Sequence, residues 1–174
     1  GSCFPVQYQD VFYDLFNFSA QHGMVASDMD SLTGHFAAQG LVNYVIASLN
    51  HDADSSLAQL EDDFFSAFGA AKDAVREYFD YQKQVTMKSG FKSPFTDDSI
   101  EGGILYLDLF LVADRLFTPA VMAKSTAILD RALAAPGLDE VSRQRVEFIR
   151  SGLEHMRLLM AALVAALPGV EVES

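Results

Sequence analysis

The residues whose types and spacing could do chemistry lie between Met24 and Gly34, in the run MVASDMDSLTG. An apolar stretch ending in Asp28-x-Asp30 has the outline of a phosphate-transferring site built on an aspartyl nucleophile. Those enzymes place a Thr one residue beyond the second Asp with a single spacer, whereas Thr33 comes three after Asp30. The further strands of a doubly wound sheet are also missing from the sequence pattern. Asp28, Asp30 and Gly34 also approximate a calcium loop, but that loop requires Gly at its sixth position and Glu at its twelfth. Thr33 and Gln39 stand there instead. Carboxylates at the positive end of a helix account for the cluster, with Asp30 or Ser31 accepting from the first free N–H groups.

The histidines are His22, His35, His51 and His155. No two are four apart, and neither Glu-x-x-His nor HExxH occurs, so neither a ferritin-like di-metal bundle nor a metalloprotease is supported. No metal or cofactor is expected. His51 has the most suggestive neighbours, Asp52 and Asp54, in a polar turn that could hold one adventitious cation. The acid pairs Asp62-Asp63, Asp97-Asp98 and Asp139-Glu140 do not make a glycosidase, which needs two carboxyls facing one cleft. Sequence neighbours on a helix point about 100° apart. No GxSxG elbow is present. Arg150 and Arg157 share a helix face with Glu147 and Glu154, which predicts intrahelical ion pairs. Six tyrosines (Tyr8, Tyr13, Tyr44, Tyr78, Tyr81, Tyr106) could stack on sugars, but their helical spacing points to core or rim packing.

The elements that must position these residues read as helices. The 174-residue chain suits one domain, and half of it is hydrophobic, enough for a sizeable core. A net charge of −12 excludes nucleic acid and anionic membrane as partners, since both call for surplus Lys and Arg. The single cysteine, Cys3, rules out an internal disulfide. Gly1-Ser2 has the form of a cleaved-tag scar, so residues 1–3 are set apart as a flexible start. The apolar run from Leu158 to Leu167 is about half the ~20 residues that span a bilayer.

Gln7 to Gln21 carries Val11, Phe12, Leu15, Phe16 and Phe18 at helical spacing. Met24 to Ser27 could form one short strand. The next helix bears Leu32, Phe36, Leu41, Tyr44, Val45 and Leu49, with Gly34 and Gly40 read as points of close packing or, at Gly40, a break. After the NHDAD turn, Asp54 or Ser55 caps a helix with Leu57, Leu60, Phe64, Phe65 and Phe68. Gly69 separates it from one with Val75, Tyr78, Phe79 and Val85. Lys88 to Ser99 is a loop, and Ile104 to Phe117 a buried helix. Thr118-Pro119 starts the next helix, and Pro136-Gly137 stops it. The last helix begins near Asp139 with the stripe Val141, Arg145, Phe148, Ile149, Gly152, Leu153, Met156, Leu159, Met160, Leu163 and Leu167. Pro168-Gly169 ends it, and residues 169–174 form a disordered acidic tail. The expected fold is mainly α: a compact bundle of about six or seven helices with at most one short strand near residues 24–27, a single helical domain over residues 4–168.

The stretch GLVNYVIASLNHD followed by LEDDFFSAFGAAKDAVREYF resembles a helical domain of unknown function in the C-terminal part of bacterial glycoside-hydrolase-like proteins. The later LFTPAVMAKSTAILDRALAAPG and RVEFIRSGLEHMRLL are similar to their paired C-terminal helices. By this resemblance Met24 to Ser27 would be the last strand of a (β/α)₈ barrel whose tail extends through residue 50. Asp28 and Asp30 would then sit at its ligand-binding end. Where those proteins carry a Trp after the Tyr44 helix, Asn50-His51 stands here.

The resemblance implies a non-catalytic module of a larger carbohydrate-active protein, with no enzymatic activity as an isolated chain. It would pack on or complete a neighbouring domain and contact an oligosaccharide through Asp28, Asp30, Tyr44 and His51. It also implies an extracellular or periplasmic setting. The alternatives are a helical protein–protein interaction module, which an exposed apolar patch would favour, and a small-molecule-binding bundle with Met122, Met156 and Met160 lining an enclosed cavity.

Overall fold

A computed structural model describes residues 4–27, 35–88, 113 and 116–166. Among the described residues the chain is all α, with six helices and no strand. They are α1 (Gln9–Gln21), α2 (Phe36–His51), α3 (Leu57–Ser66), α4 (Lys72–Lys88), α5 (Pro119–Leu133) and α6 (Glu140–Ala166), with a 3₁₀ turn at Gly69–Ala71. Helices α2 to α6 close a ring, each packed on the next and α6 back on α2, while α1 lies against α2. Asp28, Asp30, Ser31, Leu32 and Gly34 fall outside the described residues, as do the 89–99 loop, most of the 104–117 segment and the tail.

Helix α1 forms where its periodicity predicts, but it buries only part of its apolar set. Phe16 is in the core, whereas Val11, Leu15 and Phe18 are more than half exposed. The helix stops at His22 and Gly23, whose φ of +90° lies in the left-handed region that glycine tolerates. Residues 24–27 are not a strand. A strand needs a neighbouring strand for its backbone groups, and none is present among the described residues. Met24 instead donates its N–H to the Ser19 carbonyl at 3.0 Å, and Val25 is 99 % exposed.

Helix α2 runs unbroken through Gly40 and buries Leu41, Val42, Val45, Ile46 and Leu49. A Cβ at Gly40 would lie 3.1 Å from the Phe36 ring, one turn earlier on the same helix. The glycine therefore lets Phe36 lie along its own helix and does not mark a close neighbouring helix. That close approach occurs at Gly152 of α6, where a Cβ would come within 2.6 Å of the Ala37 Cβ of α2.

Helix α3 is capped by Ser56, not by Asp54 or Ser55. Ser56 Oγ accepts the Gln59 N–H at 3.2 Å, and the Gln59 side chain reaches back to the Ser56 N–H. The reason is local. Asp52 has already taken the Asp54 N–H at 3.1 Å and the Ser55 hydroxyl at 3.0 Å in a turn, leaving Ser56 as the first free oxygen. Gly69, at φ +52°, turns the chain between α3 and α4.

Upstream of α5, Phe117 donates its N–H to the Ala113 carbonyl at 2.8 Å, and both residues are buried; the rest of the helix expected over 104–117 lies outside the described residues, Leu116 excepted. Thr118 caps α5 through Oγ1 with Pro119 in its first turn. Asp139 caps α6, accepting from the Ser142 N–H at 2.9 Å and its hydroxyl at 2.6 Å.

The buried stripe of α6 is Ser142, Val146, Ile149, Leu153 and Met156, flanked by the buried Gly152. Val141 and Phe148, which the sequence pattern puts in the same stripe, lie about half exposed beside it. Three arginines of α6 tie it to the ring. Arg145 donates to the Ala67 carbonyl at the end of α3, and Arg143 to the Leu133 carbonyl at the end of α5 at 3.3 Å. Arg150 pairs with Asp130 on α5, not with Glu147, whereas Arg157 pairs within the helix with Glu154 at 2.7 Å. Between α4 and α5 the buried Gln82 amide donates to Ser125 Oγ at 2.7 Å, and that hydroxyl donates to the Val121 carbonyl at 2.8 Å.

Tyr78, 1 % exposed, sits at the centre of this packing. Burial pushes its phenol well above the usual tyrosine range. The neutral form is the one the fold accommodates. This contribution to stability is therefore complete below the unfolded-state value of about 10 and is lost as pH rises above it. Tyr78→Phe is expected to move the alkaline unfolding midpoint upward, read by circular dichroism alongside tyrosinate absorbance. An unchanged midpoint would assign alkaline unfolding to other groups.

Candidate functional site

The ring of helices leaves an open apolar groove of about 470 Å³ where α2, α3 and α6 meet. Its floor is aromatic. The Phe64 ring lies 5.7 Å from Tyr44, 5.7 Å from Phe68 and 5.6 Å, edge to face, from Phe79. Its lips are Phe36, Val141 and Phe148, at 55 %, 55 % and 48 % exposure. Asp63, Gln144 and Arg145 supply its polar edge. Each part follows from local sequence. Phe64 and Phe68 are one turn apart across the end of α3, Val141 and Phe148 are two turns apart on one flank of α6, and Gly40 gives Phe36 its place on α2. The Arg145 head is held by the α3 end through the Ala67 carbonyl.

Of the residues singled out from sequence, the structure places Tyr44 in this groove. His51, the last residue of α2, is exposed and is not part of the lining. Its neighbour Asp52 is engaged in holding the turn. Asp28 and Asp30 lie outside the described residues. Met156 is fully buried in the core, and neither Met122 nor Met160 lines the groove, so the methionine wall foreseen for an enclosed cavity is not what shapes it. Periodicity did not reveal Phe36, Phe64, Phe148 and Arg145 as a set. A usable signal is present: Val141 and Phe148 are seven apart, as is one edge of a helix whose buried centre runs through Val146 and Ile149.

A second, polar groove of about 390 Å³ lies along α4 and α5. Its cations already have partners: Arg76 binds Asp62 at 3.2 Å with its guanidinium 4.4 Å from the Phe65 ring centre, and Lys124 sits 4.2 Å over Tyr81. Carboxylate pKa values are lowered at Asp62 by the Lys72 hydrogen bond, at Asp139 by the Ser142 hydroxyl and at Glu154 by Arg157. All three are cap or surface ion-pair positions. Among the described residues no three or more His, Cys, Asp or Glu side chains converge as a metal cage, and no helix is long and apolar enough to cross a membrane.

Compared with protein-family models, characterised proteins and solved structures, the chain matches none.

Proposed function

We infer that this chain is a non-catalytic helical docking module that buries apolar side chains of another polypeptide in the α2–α3–α6 groove. The first candidate for that polypeptide is the remainder of the parent protein. The observation that carries the reading is the groove itself: three large apolar lips, Phe36, Val141 and Phe148, held about half exposed around a fixed aromatic floor. Removing such side chains from water is worth about 1.5–3 kcal/mol each when burial is complete. Aromatic anchors in a preformed pocket are the usual energetic centre of an interface. A saccharide calls for many hydrogen-bonding groups around its ring, and this groove offers few, so a polypeptide suits it better. The net charge of −12 favours a partner whose apolar face is rimmed by Lys or Arg.

Selection of a phage-displayed library of short helical peptides tests this. Recovered peptides are expected to carry apolar residues at helical spacing, and to lose binding to Phe148→Glu and Phe36→Glu while both variants keep their helical spectrum. Peptides that bind these variants as well as the wild type would overturn the groove assignment. Failure to recover peptides, together with a rise in melting temperature on adding neutral or acidic oligosaccharides, would return the saccharide role expected from the resemblance.

A further inference from the structure

His35, the residue before α2, and His155, in the middle of α6, stand far apart in sequence and side by side in the fold, with ring centroids 5.3 Å apart and planes at 57°. We propose that they form a two-imidazole site for a borderline transition-metal dication such as Zn²⁺, Ni²⁺ or Cu²⁺.

The separation is the first argument. Two imidazoles sharing a tetrahedral ion at metal–nitrogen distances of about 2.0–2.1 Å hold their ring centres about 5 Å apart. The observed centroid spacing matches that separation, and an ion would be taken up once a nitrogen of each ring turns toward the other. The second argument is an unmet valence. His35 Nδ1 is buried and has no hydrogen-bond partner, whereas buried polar atoms are nearly always paired. The third is access. His155 is exposed and leaves its side of the pair open, while Phe148 stacks on His35 with ring centroids 6.4 Å apart. Imidazole pairs select Zn²⁺, Ni²⁺ and Cu²⁺ over Mg²⁺ and Ca²⁺, which prefer oxygen ligands. The two histidines supply two positions and water the rest, in keeping with the absence of a larger cage among the described residues. A bound ion would clamp the start of α2 to α6 beside Phe148, at one end of the groove.

The test is calorimetric titration of the full chain with ZnCl₂, NiCl₂ and CuSO₄, with MgCl₂ and CaCl₂ as controls. It is run in a Cys3→Ser background so that the thiol does not compete. One equivalent of Zn²⁺, Ni²⁺ or Cu²⁺ is expected to bind and to raise the melting temperature, an effect chelator reverses. His35→Gln and His155→Gln should each weaken binding by roughly tenfold or more, since losing a direct ligand costs at least as much as losing its support. His22→Gln and His51→Gln should leave it unchanged. His155 is exposed, so its variant keeps the fold even if that of His35 does not. Binding that survives His155→Gln, binding abolished by His51→Gln, or no heat with any of the three metals would each overturn the site.

Discussion

Gly152→Val is expected to lower the stability of this protein by about 3 kcal/mol or more, a large part of the roughly 5–15 kcal/mol that holds a domain folded. A Cβ at Gly152 would stand 2.6 Å from the Ala37 Cβ and 3.3 Å from the Ala37 carbonyl carbon. Neither is the free end of a flexible side chain, so α2 and α6 must move apart. Two further methyl groups on a branched residue deepen the clash and restrict its rotamer. Gly152→Ala is the sharper probe. Helix propensity alone would make alanine better by about 1 kcal/mol, and the clash is expected to reverse that sign. Ala37→Gly should restore much of what Gly152→Ala loses, so the double variant is more stable than the sum of the singles predicts. Urea denaturation of the four proteins measures this directly. Additive losses would mean that the two helices do not meet as tightly as the structure has them.

Phe79→Ala should cost about 3–5 kcal/mol. Phe79 is 1 % exposed and meets Phe64, Phe65 and Tyr78 at 5.6, 5.7 and 5.4 Å in edge-on arrangements. Those contacts add to simple burial. In a chain of this size the loss corresponds to a fall in melting temperature on the order of 10 °C. Because Phe64 rests on Phe79, the same change loosens the groove floor, and the peptides selected for the groove should weaken at temperatures where the variant is still folded. Phe79→Leu, which keeps most of the volume, should lose much less of both. A variant that melts early yet binds peptide at full strength would separate core from groove and show that Phe64 is held by α2 and α3 alone.

The helices and most of their ends were legible in the sequence, because each rests on local chemistry. Thr118-Pro119 before an amphipathic run, Asp139 ahead of the longest apolar stripe and Gly69 between two helices name their own roles. The cap of α3 is Ser56, one residue past Ser55 and two past Asp54, because Asp52 engages Asp54 and Ser55 through a turn that composition alone does not separate from a cap. Residues 24–27 left a short strand open as an alternative to loop, because nothing in so short an apolar run says what lies beside it.

The groove was harder to read for a different reason. Apolar periodicity marks which face of a helix is greasy but not how wide a face its neighbours cover. Val141 and Phe148 on α6, and Val11, Leu15 and Phe18 on α1, belong to apolar faces broader than the contact each helix makes with its described neighbours. His35 and His155 were invisible as a pair because only tertiary packing brings α2 and α6 together.

The crossing of α2 and α6 at Ala37 and Gly152 also bears on how long the molecule stays folded. Helices α5 and α6 are joined by a short turn and can pair early, whereas α2 meets α6 only after a long loop has closed. The crossing is therefore expected to form after the rate-limiting step, so that Gly152→Ala speeds unfolding and leaves the refolding rate nearly unchanged in stopped-flow chevrons. Refolding slowed in proportion to the lost stability would instead put this contact in the nucleus. In the expected case, the lifetime of the native state is set by the fit between one glycine and one alanine, and resistance to proteolysis by unfolding is tuned there with little effect on the speed of folding.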